Sequence, residues 1–173
     1  DLVAYHSRVL RLDTSTNFRD ESSWSAFDVG EQHSQQSAAF DGRYIYFCPG
    51  FDGDPATEGS CSGRVIRFDT TADFKSRSSY TSIDIRQWLG ADASCFDGAA
   101  FDGRYVTFVP FWDGETTTDG FHARLLRYDT TLPFTAAEAW QAADGSVLAP
   151  PNPGGFNGGA FDGRFLYMAP WRL

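Results

Sequence analysis

The stretch AAFDGRYIYF at residues 38–47 decides the fold, because the sequence contains it three times. It returns as AAFDGRYVTF at 99–108 and as GAFDGRFLYM at 159–168. The equivalent residues Phe40, Phe101 and Phe161 are spaced by 61 and then 60 positions. A fixed period of this length indicates a repeat architecture, in which each repeat forms one supersecondary unit.

A second phrase keeps the same period and places further side chains in register. It reads RVLRLDT at 8–14, RVIRFDT at 64–70 and RLLRYDT at 124–130. Aromatic and acidic positions follow each copy at constant spacing, without a gap: Phe18, Phe74 and Phe134; Trp24, Tyr80 and Trp140; Asp28, Asp84 and Asp144. The repeat therefore spans most of the chain.

The composition indicates a folded, strand-rich domain. Hydrophobic residues make up 42% and aromatic residues 16% of the 173 positions, and the 17 glycines suit many short strands joined by turns. The net charge is −9, and an acidic surface repels phosphate backbones, which argues against nucleic-acid binding. No apolar run approaches the ~18 residues of a membrane helix.

Each repeat predicts four antiparallel strands, a to d. Strand a is short and small, at 37–40, 98–101 and 158–161, and an Asp-Gly pair follows it each time. Asp-Gly between apolar runs predicts a tight hairpin with a type I′ turn. Strand b follows at 43–48, 104–109 and 164–169, and we expect Pro49, Pro110 and Pro170 to end it, since proline cannot donate to the strand ladder.

Strand c is the RVLRLDT phrase, and strand d is centred on Trp24, Tyr80 and Trp140. The segment TAAEAWQAA at 135–143 has a helix-forming composition. It aligns with SRSSYTSID at 76–84 of the preceding repeat, whose composition does not favour a helix. We therefore expect the register of the repeat to override the local composition here.

These features resemble the kelch-like blade of a β-propeller. The matching residues are the small pair Gly158-Gly159, the Asp-Gly turns, the strand at 44–47, the Arg127-Tyr128-Asp129 triplet, and Trp24 or Trp140. The unit is longer than the ~50 residues of a kelch repeat, and its inner strand ends in FDG. The phrase is also similar to that of uncharacterised bacterial FDGRYxYF repeat proteins. The resemblance implies an all-β propeller; the alternative is a β-trefoil, which the crowded small strand a and the tight a–b hairpin disfavour.

The repeat boundaries predict which residues form each blade. Residues 38–98 and 99–158 each form a blade, whereas 1–37 and 159–173 are complementary halves of a third, composite blade within one repeat domain. Propellers usually have 4–8 blades, so three are too few to close a ring. We expect a C2 homodimer that exchanges the halves and closes six blades. The alternative is a segment of a longer array.

The side chains that recur in every repeat favour a structural role. They are Arg43, Arg104 and Arg164 after the turn, Arg11, Arg67 and Arg127 in strand c, and Asp13, Asp69 and Asp129 two positions later. Catalysis needs one asymmetric group of residues, whereas blade packing needs the same contact each time. We expect Arg–Asp pairs between strands or blades. The alternative is a ring of guanidinium groups that binds anions.

The residues that do not recur are the candidates for ligand binding. They are Trp112, Asp113, Glu115, His122, Trp171, Tyr5 and His6, with Asp52, Asp54, Glu58 and Asp119 nearby. Aromatic rings beside carboxylates suit carbohydrate, because sugar CH faces stack on rings and hydroxyls bond to acids. We predict a non-catalytic, lectin-like binding module for carbohydrate or a small polar ligand. Alternatives are a structural or protein-interaction scaffold, in which the tryptophans cover blade edges, and a glycoside hydrolase.

The sequence predicts no catalytic residue and no cofactor. GxSxG, HExxH, P-loop and GxGxxG patterns are missing. The segments DGDPATE at 52–58 and DGETTTD at 113–119 carry oxygen ligands that suit calcium, but without EF-hand spacing. The three cysteines form no CxxC motif, so we expect no zinc site. Cys48 and Cys61 lie on strands that could pair, which allows either a disulfide or two buried thiols.

Overall fold

The computed structural model describes residues 5–52, 60–112, 120–148 and 154–171. This part of the chain is all-β, with two short α-helices and three 3-10 turns. The strands are β1 (Arg8–Leu12), β2 (Trp24–Asp28), β3 (His33–Phe40), β4 (Tyr44–Asp52), β5 (Ser60–Cys61), β6 (Arg64–Asp69), β7 (Tyr80–Asp84), β8 (Phe96–Phe101), β9 (Tyr105–Pro110), β10 (Arg124–Asp129), β11 (Trp140–Asp144), β12 (Phe156–Phe161) and β13 (Leu166–Pro170). Short helices α1 (Arg86–Leu89) and α2 (Gly145–Leu148) follow β7 and β11.

The strands form four separate antiparallel sheets, and none of them closes on itself. Two sheets are complete: β3-β4-β6-β7, with β5 beside β4, and β8-β9-β10-β11. The other two are half-sheets, β1-β2 and β12-β13. The predicted a-b-c-d order is thus confirmed in both complete sheets. The half-sheet β1-β2 contains only strands c and d, and the half-sheet β12-β13 contains only strands a and b.

The Asp-Gly hairpins form, but the predicted type I′ turn is wrong. Gly42 has φ +104°, whereas Cys95 is the only non-glycine residue with positive φ in the described ranges. A type I′ turn needs positive φ at both central residues. Asp41 instead lies before the turn, and its carboxylate accepts hydrogen bonds from the backbone N–H groups of Arg43 (2.8 Å) and Tyr44 (2.6 Å). The aspartate therefore holds the turn through its side chain.

The prediction that proline ends strand b is correct for two copies and wrong for one. β9 ends at Pro110 and β13 at Pro170, but β4 runs through Pro49 to Asp52. Pro49 faces Gln35 on β3, and Phe51 pairs with Cys61 on β5. A proline is tolerated here because β6 pairs with β4 only as far as Phe47, so no neighbour on that side needs the missing N–H.

The register of the repeat does override composition at 135–143. Only Ala137–Ala139 form a 3-10 turn, and β11 begins at Trp140. The Trp140 indole is buried and donates a hydrogen bond to the Phe134 carbonyl at 2.9 Å. Tyr80 makes the same contact to Phe74 in the preceding repeat, also at 2.9 Å. Burial of the aromatic ring in the core outweighs the weak preference of alanines for helix.

The innermost strands of successive sheets lie side by side. β3 packs against β8, and β8 packs against β12. At the second contact, a Cβ built on Gly98 would lie 2.5 Å from the Cα of Gly158, so only glycine allows this approach. The apolar core then fills the space between sheet faces. One cluster includes Tyr46, Phe108 and Trp140; another includes Ile66, Phe74 and Tyr80.

The cysteines adopt neither of the two arrangements that the sequence left open for Cys48 and Cys61. Cys61 forms a disulfide with Cys95, with the two Cα atoms 5.0 Å apart. Cys48 is a free, fully buried thiol that donates to the Gly98 carbonyl. The Cys48–Cys61 pair does not form because β4 continues past Cys48, which places Phe51 opposite Cys61. The disulfide thus joins the start of strand c to the residue before β8.

Candidate functional site

Aromatic side chains line the end of the sheets at which strands b and c are joined. Tyr5 stacks on Phe51 with ring centroids 5.9 Å apart, and Phe51 contacts Trp112 at 6.0 Å. Farther along, Phe111 contacts the exposed Trp171 at 5.9 Å. We call these five residues the aromatic row. Each contact crosses from one sheet to the next, so the row follows from the order of the sheets.

A cavity opens beside this row. It has a volume of about 530 Å³ and lies between β1 and β3. Its lining includes Tyr5, His6 and Ser7 from the segment that leads into β1, and Ser34, Gln35 and Gln36 from β3. We call it the β1–β3 cavity. Most of these side chains offer hydrogen-bonding groups, and two of them, Tyr5 and His6, belong to the predicted ligand residues.

Gln35 brings an unusual feature to this cavity. Both polar atoms of its amide, Oε1 and Nε2, are buried and have no hydrogen-bond partner within the described residues. The equivalent residue in the next repeat is Phe96, which is fully buried and apolar. An amide in the place of that phenylalanine leaves a donor and an acceptor beside the cavity, at a free-energy cost of about 1–3 kcal/mol per unsatisfied group. A polar ligand would relieve that cost.

A second polar pocket, missed by sequence reasoning, lies around His33. It has a volume of about 330 Å³ and is lined by Glu31, Gln32, His33, Asp52 and Arg64. The Glu31 carboxylate lies 3.3 Å from the buried His33 Nε2, although the alignment is not that of a hydrogen bond. Burial lowers the pKa of His33, and the Glu31 carboxylate opposes this shift. The burial effect is the larger one, so the imidazole is neutral near pH 7.

The sequence offered one signal for this pocket. His33 takes a position occupied by Ser94 in the following repeat, so it is a non-recurring polar side chain on strand a. Such departures from the repeat mark candidate sites. His33 went unrecognised because its partners come from different strands: it faces Asp52 across the β3–β4 pair, and Arg64 comes from β6.

The structure removes His122 from the ligand surface. Its side chain is only 4% exposed, and it packs edge-on against Phe96 with ring centroids 5.4 Å apart. Its Nδ1 accepts a hydrogen bond from the Arg124 N–H at 3.2 Å, and its Nε2 lies 2.9 Å from the Cys95 carbonyl. In the first repeat the equivalent His6 is exposed, and its Nδ1 accepts the same backbone bond from Arg8. His122 therefore serves the fold rather than a ligand.

Arg–Asp pairs form as expected after two of the three turns, whereas Arg164 lies over the ring of Phe165. Arg43 Nη2 lies 2.7 Å from Asp69 Oδ2, and Arg104 Nη2 lies 2.6 Å from Asp129 Oδ2. The hydrogen bond from each arginine holds the pKa of its aspartate well below the usual range. These pairs bridge strands b and c of one sheet. Because these arginines already pair with aspartates within their sheets, they are not candidates for anion binding.

The strand-c arginines do not pair with aspartates in the described residues; they stack on rings. The Arg67 guanidinium carbon lies 4.3 Å from the ring centroid of Tyr44 in its own sheet and 4.5 Å from that of Phe134 in the next. Arg127 stacks on Tyr105 at 4.3 Å, and Arg11 stacks on Phe74 at 4.2 Å. Each guanidinium thus has a ring within its sheet, a ring in the neighbouring sheet, or both.

Several predicted residues lie outside the described ranges. Among them are Asp113, Glu115 and Asp119 of the second b–c loop, and Asp54 and Glu58 of the first. Both acidic segments considered for calcium fall largely there. Within the described ranges, no group of three or more His, Cys, Asp or Glu side chains could hold a metal ion, and no helix is long and apolar enough to cross a membrane.

Comparison with known proteins adds no relative. No family model matches the chain, and no curated protein matches it.

Proposed function

We propose that the four sheets are blades and half-blades of a kelch-like β-propeller, and that the protein is a non-catalytic binding module for carbohydrate or another small polar ligand. The side-by-side contacts of β3 with β8 and of β8 with β12 support the propeller, since blades meet at their innermost strands. The glycine contact between Gly98 and Gly158 supports it too, because a crowded hub excludes side chains.

One observation carries the binding function: the β1–β3 cavity holds the buried, unpartnered amide of Gln35 next to the aromatic row. Buried polar groups in proteins are almost always satisfied, so such an amide is available to hydrogen-bond a bound molecule once the Gln35 side chain turns towards the cavity. The volume of about 530 Å³ falls in the range of ligand pockets.

The chemistry of the lining favours a polyhydroxylated ligand. Ser34, Gln35 and Gln36 supply neutral donors and acceptors, which suit hydroxyl groups, and Arg8 adds a cationic donor to the lining. Tyr5 supplies an aromatic face at the rim. The exposed Trp171 extends the aromatic row at the same end of the sheets.

A glycan array followed by calorimetry tests this function. We expect binding of a mono- or oligosaccharide that falls at least tenfold in Gln35→Leu, a variant that keeps the side-chain volume but removes the amide. Tyr5→Ala should weaken the same binding. Leu132→Ala, an exposed leucine away from the cavity, is the matched control and should bind like the parent. No binding across the array, or binding unaffected by Gln35→Leu, would overturn the proposal. Turnover of an aryl glycoside would favour a hydrolase.

A further inference from the structure

We propose that the polar pocket around His33 binds a small zwitterion of the α-amino acid class, with the ligand carboxylate on Arg64 and the ligand ammonium group beside Asp52 and the His33 imidazole. This is a second site, because its lining shares no residue with that of the β1–β3 cavity. The lining residues belong to the complete sheet β3-β4-β6-β7 and to the segment that leads into β3. We call this site the His33 pocket.

The first observation is that Arg64 has no ion-pair partner within the described residues, although its counterpart has one. The equivalent arginine of the next repeat, Arg124, pairs with Asp92. Glu31 stands 61 positions before Asp92, at the equivalent place in the repeat. In this sheet, however, the Glu31 carboxylate is bound by Arg77, with Nη2 2.9 Å from Oε1. Arg64 is therefore left without the carboxylate that its counterpart binds.

The carboxylate on the facing strand is occupied as well. Arg64 faces Asp84 across the β6–β7 pair. Arg86 binds this carboxylate through two nitrogens, with Nε 2.9 Å from Oδ1 and Nη2 2.7 Å from Oδ2. Neither Arg86 nor Arg77 recurs in the next repeat, where serine and alanine take their positions. These two additional arginines satisfy the nearby carboxylates and leave the Arg64 guanidinium available to a ligand.

The second observation is the buried imidazole of His33, which is only 2% exposed. Its Nε2 atom has no hydrogen-bond partner in the part of the chain that the structure describes. Because the ring is neutral near pH 7, each of its nitrogens can take part in one hydrogen bond, as a donor or as an acceptor. Buried polar atoms are rarely left unpaired, so this nitrogen is suited to a polar group of a bound ligand.

The acidic side chains of the pocket provide acceptors for a cationic group. Asp52 faces His33 directly across the β3–β4 pair. Its contact with Arg86 is long, at 3.6 Å, because Arg86 binds Asp84 at 2.7 Å. Glu31 adds a second carboxylate, and its Oε2 lies 3.3 Å from His33 Nε2. An ammonium group, which has three hydrogens to donate, would find two carboxylates and an imidazole nitrogen as acceptors.

The balance of charges favours a zwitterion over an ion of a single sign. An unpaired guanidinium binds a carboxylate well, through two parallel hydrogen bonds. The two carboxylates of the pocket, however, repel an anion that carries no positive group. A cation alone would leave Arg64 without a partner. An α-amino acid carries both charged groups on one carbon atom, and the volume of about 330 Å³ suits a molecule of that size.

Calorimetric titration with the common free amino acids tests the site. We expect at least one of them to bind. The matched probes are the amine and the carboxylic acid that each lack one of the two charged groups, such as ethylamine and propionate for alanine. Each should bind at least tenfold more weakly than the amino acid, because each leaves one side of the pocket without its partner.

Two substitutions test the assigned contacts. Arg64→Gln removes the guanidinium and Asp52→Asn removes the negative charge, and each should weaken amino-acid binding at least tenfold. Arg64 is exposed and unpaired within the described residues, so its replacement should leave the fold intact, as circular dichroism would show. Arg19→Gln, the same change at an exposed arginine of a turn, is the matched control and should bind like the parent.

Nitrogen NMR of the imidazole rings provides a readout that does not depend on a variant. The Nε2 signal of His33, assigned by its loss in His33→Ser, should shift when the amino acid is added, whereas the signals of His122 should not. Failure of every amino acid to bind would overturn the proposal. So would an acid without an ammonium group that binds as tightly, or unchanged binding by Arg64→Gln. These measurements use no saccharide, so their outcome is separate from that of the test of the β1–β3 cavity.

Discussion

At the scale of single residues, arginine plays two different parts in each of the two complete sheets. The arginine after the turn forms an ion pair with an aspartate of strand c, as Arg104 does with Asp129. The strand-c arginine, such as Arg67, instead lies flat between aromatic rings. A planar guanidinium can do both, whereas lysine, a compact point charge, cannot stack in this way. These arginines therefore recur because both kinds of contact contribute to the packing of the sheets.

The lowered pKa of Asp129 predicts an acid-sensitive contribution to stability. The Arg104 hydrogen bond lowers the pKa of this carboxyl, so its stabilisation is full above the unfolded pKa of about 4 and is lost as the pH falls towards the folded pKa. Asp129→Asn should lower the urea midpoint at pH 7, and the difference from the parent should shrink at pH 3. Asp20→Asn, on an exposed turn, is the control. A difference that is independent of pH would contradict this expectation.

Cys48 should be chemically inert in the folded protein. Burial raises the pKa of its thiol and also blocks access of reagents. Iodoacetamide should add no group to the native protein and one group in denaturant, as measured by intact mass. Denaturant with a reductant should give three, because the Cys61–Cys95 disulfide then opens. Modification of the native protein would show that the site around Cys48 opens readily.

At the scale of elements, strand a is small because another strand a lies against it. Gly98 on β8 faces Gly158 on β12, and the backbones approach too closely for any Cβ. The partner of each inner strand is another inner strand, about 60 residues away along the chain. The glycines at these two positions are therefore explained by a contact between sheets and not by a local turn.

Two glycine substitutions separate this contact from backbone strain. Gly98 and Gly103 both have positive φ, +131° and +102°, but a Cβ at Gly103 would meet nothing within 4 Å. Gly103→Ala should cost about 1–3 kcal/mol for strain alone. Gly98→Ala should cost about 1–3 kcal/mol more, because the methyl group forces the two strands apart. Urea unfolding measures both, and equal losses would mean that the inner strands yield easily.

At the scale of the whole molecule, contacts between sheets hold the described residues together. Arg67 stacks on Phe134 of the next sheet, and Arg11 stacks on Phe74. The Cys61–Cys95 disulfide joins two neighbouring sheets covalently. Loss of either kind of contact therefore affects more than one repeat.

The sequence by itself determined the repeat, the all-β class, the order of strands within a sheet, and the pairing of the turn arginines with aspartates in two repeats. All of these depend on contacts inside one period, where spacing along the chain sets which side chains meet. The sequence also predicted a strand at Trp140, where the local composition favours a helix, because the other two copies of the repeat fixed the register. The turn at Asp41 escaped it, since a side-chain carboxylate replaced the backbone geometry that Asp-Gly usually adopts.

Only the tertiary structure decided what lies between sheets. Four features depend on contacts between different repeats. They are the Cys61–Cys95 disulfide, the burial of His122, the stacking of Arg67 on Phe134 and the unpartnered amide of Gln35. Their positions depend on how far β4 extends and on how closely neighbouring sheets approach. Those distances result from packing of the whole chain, and no pattern within a single repeat contains them.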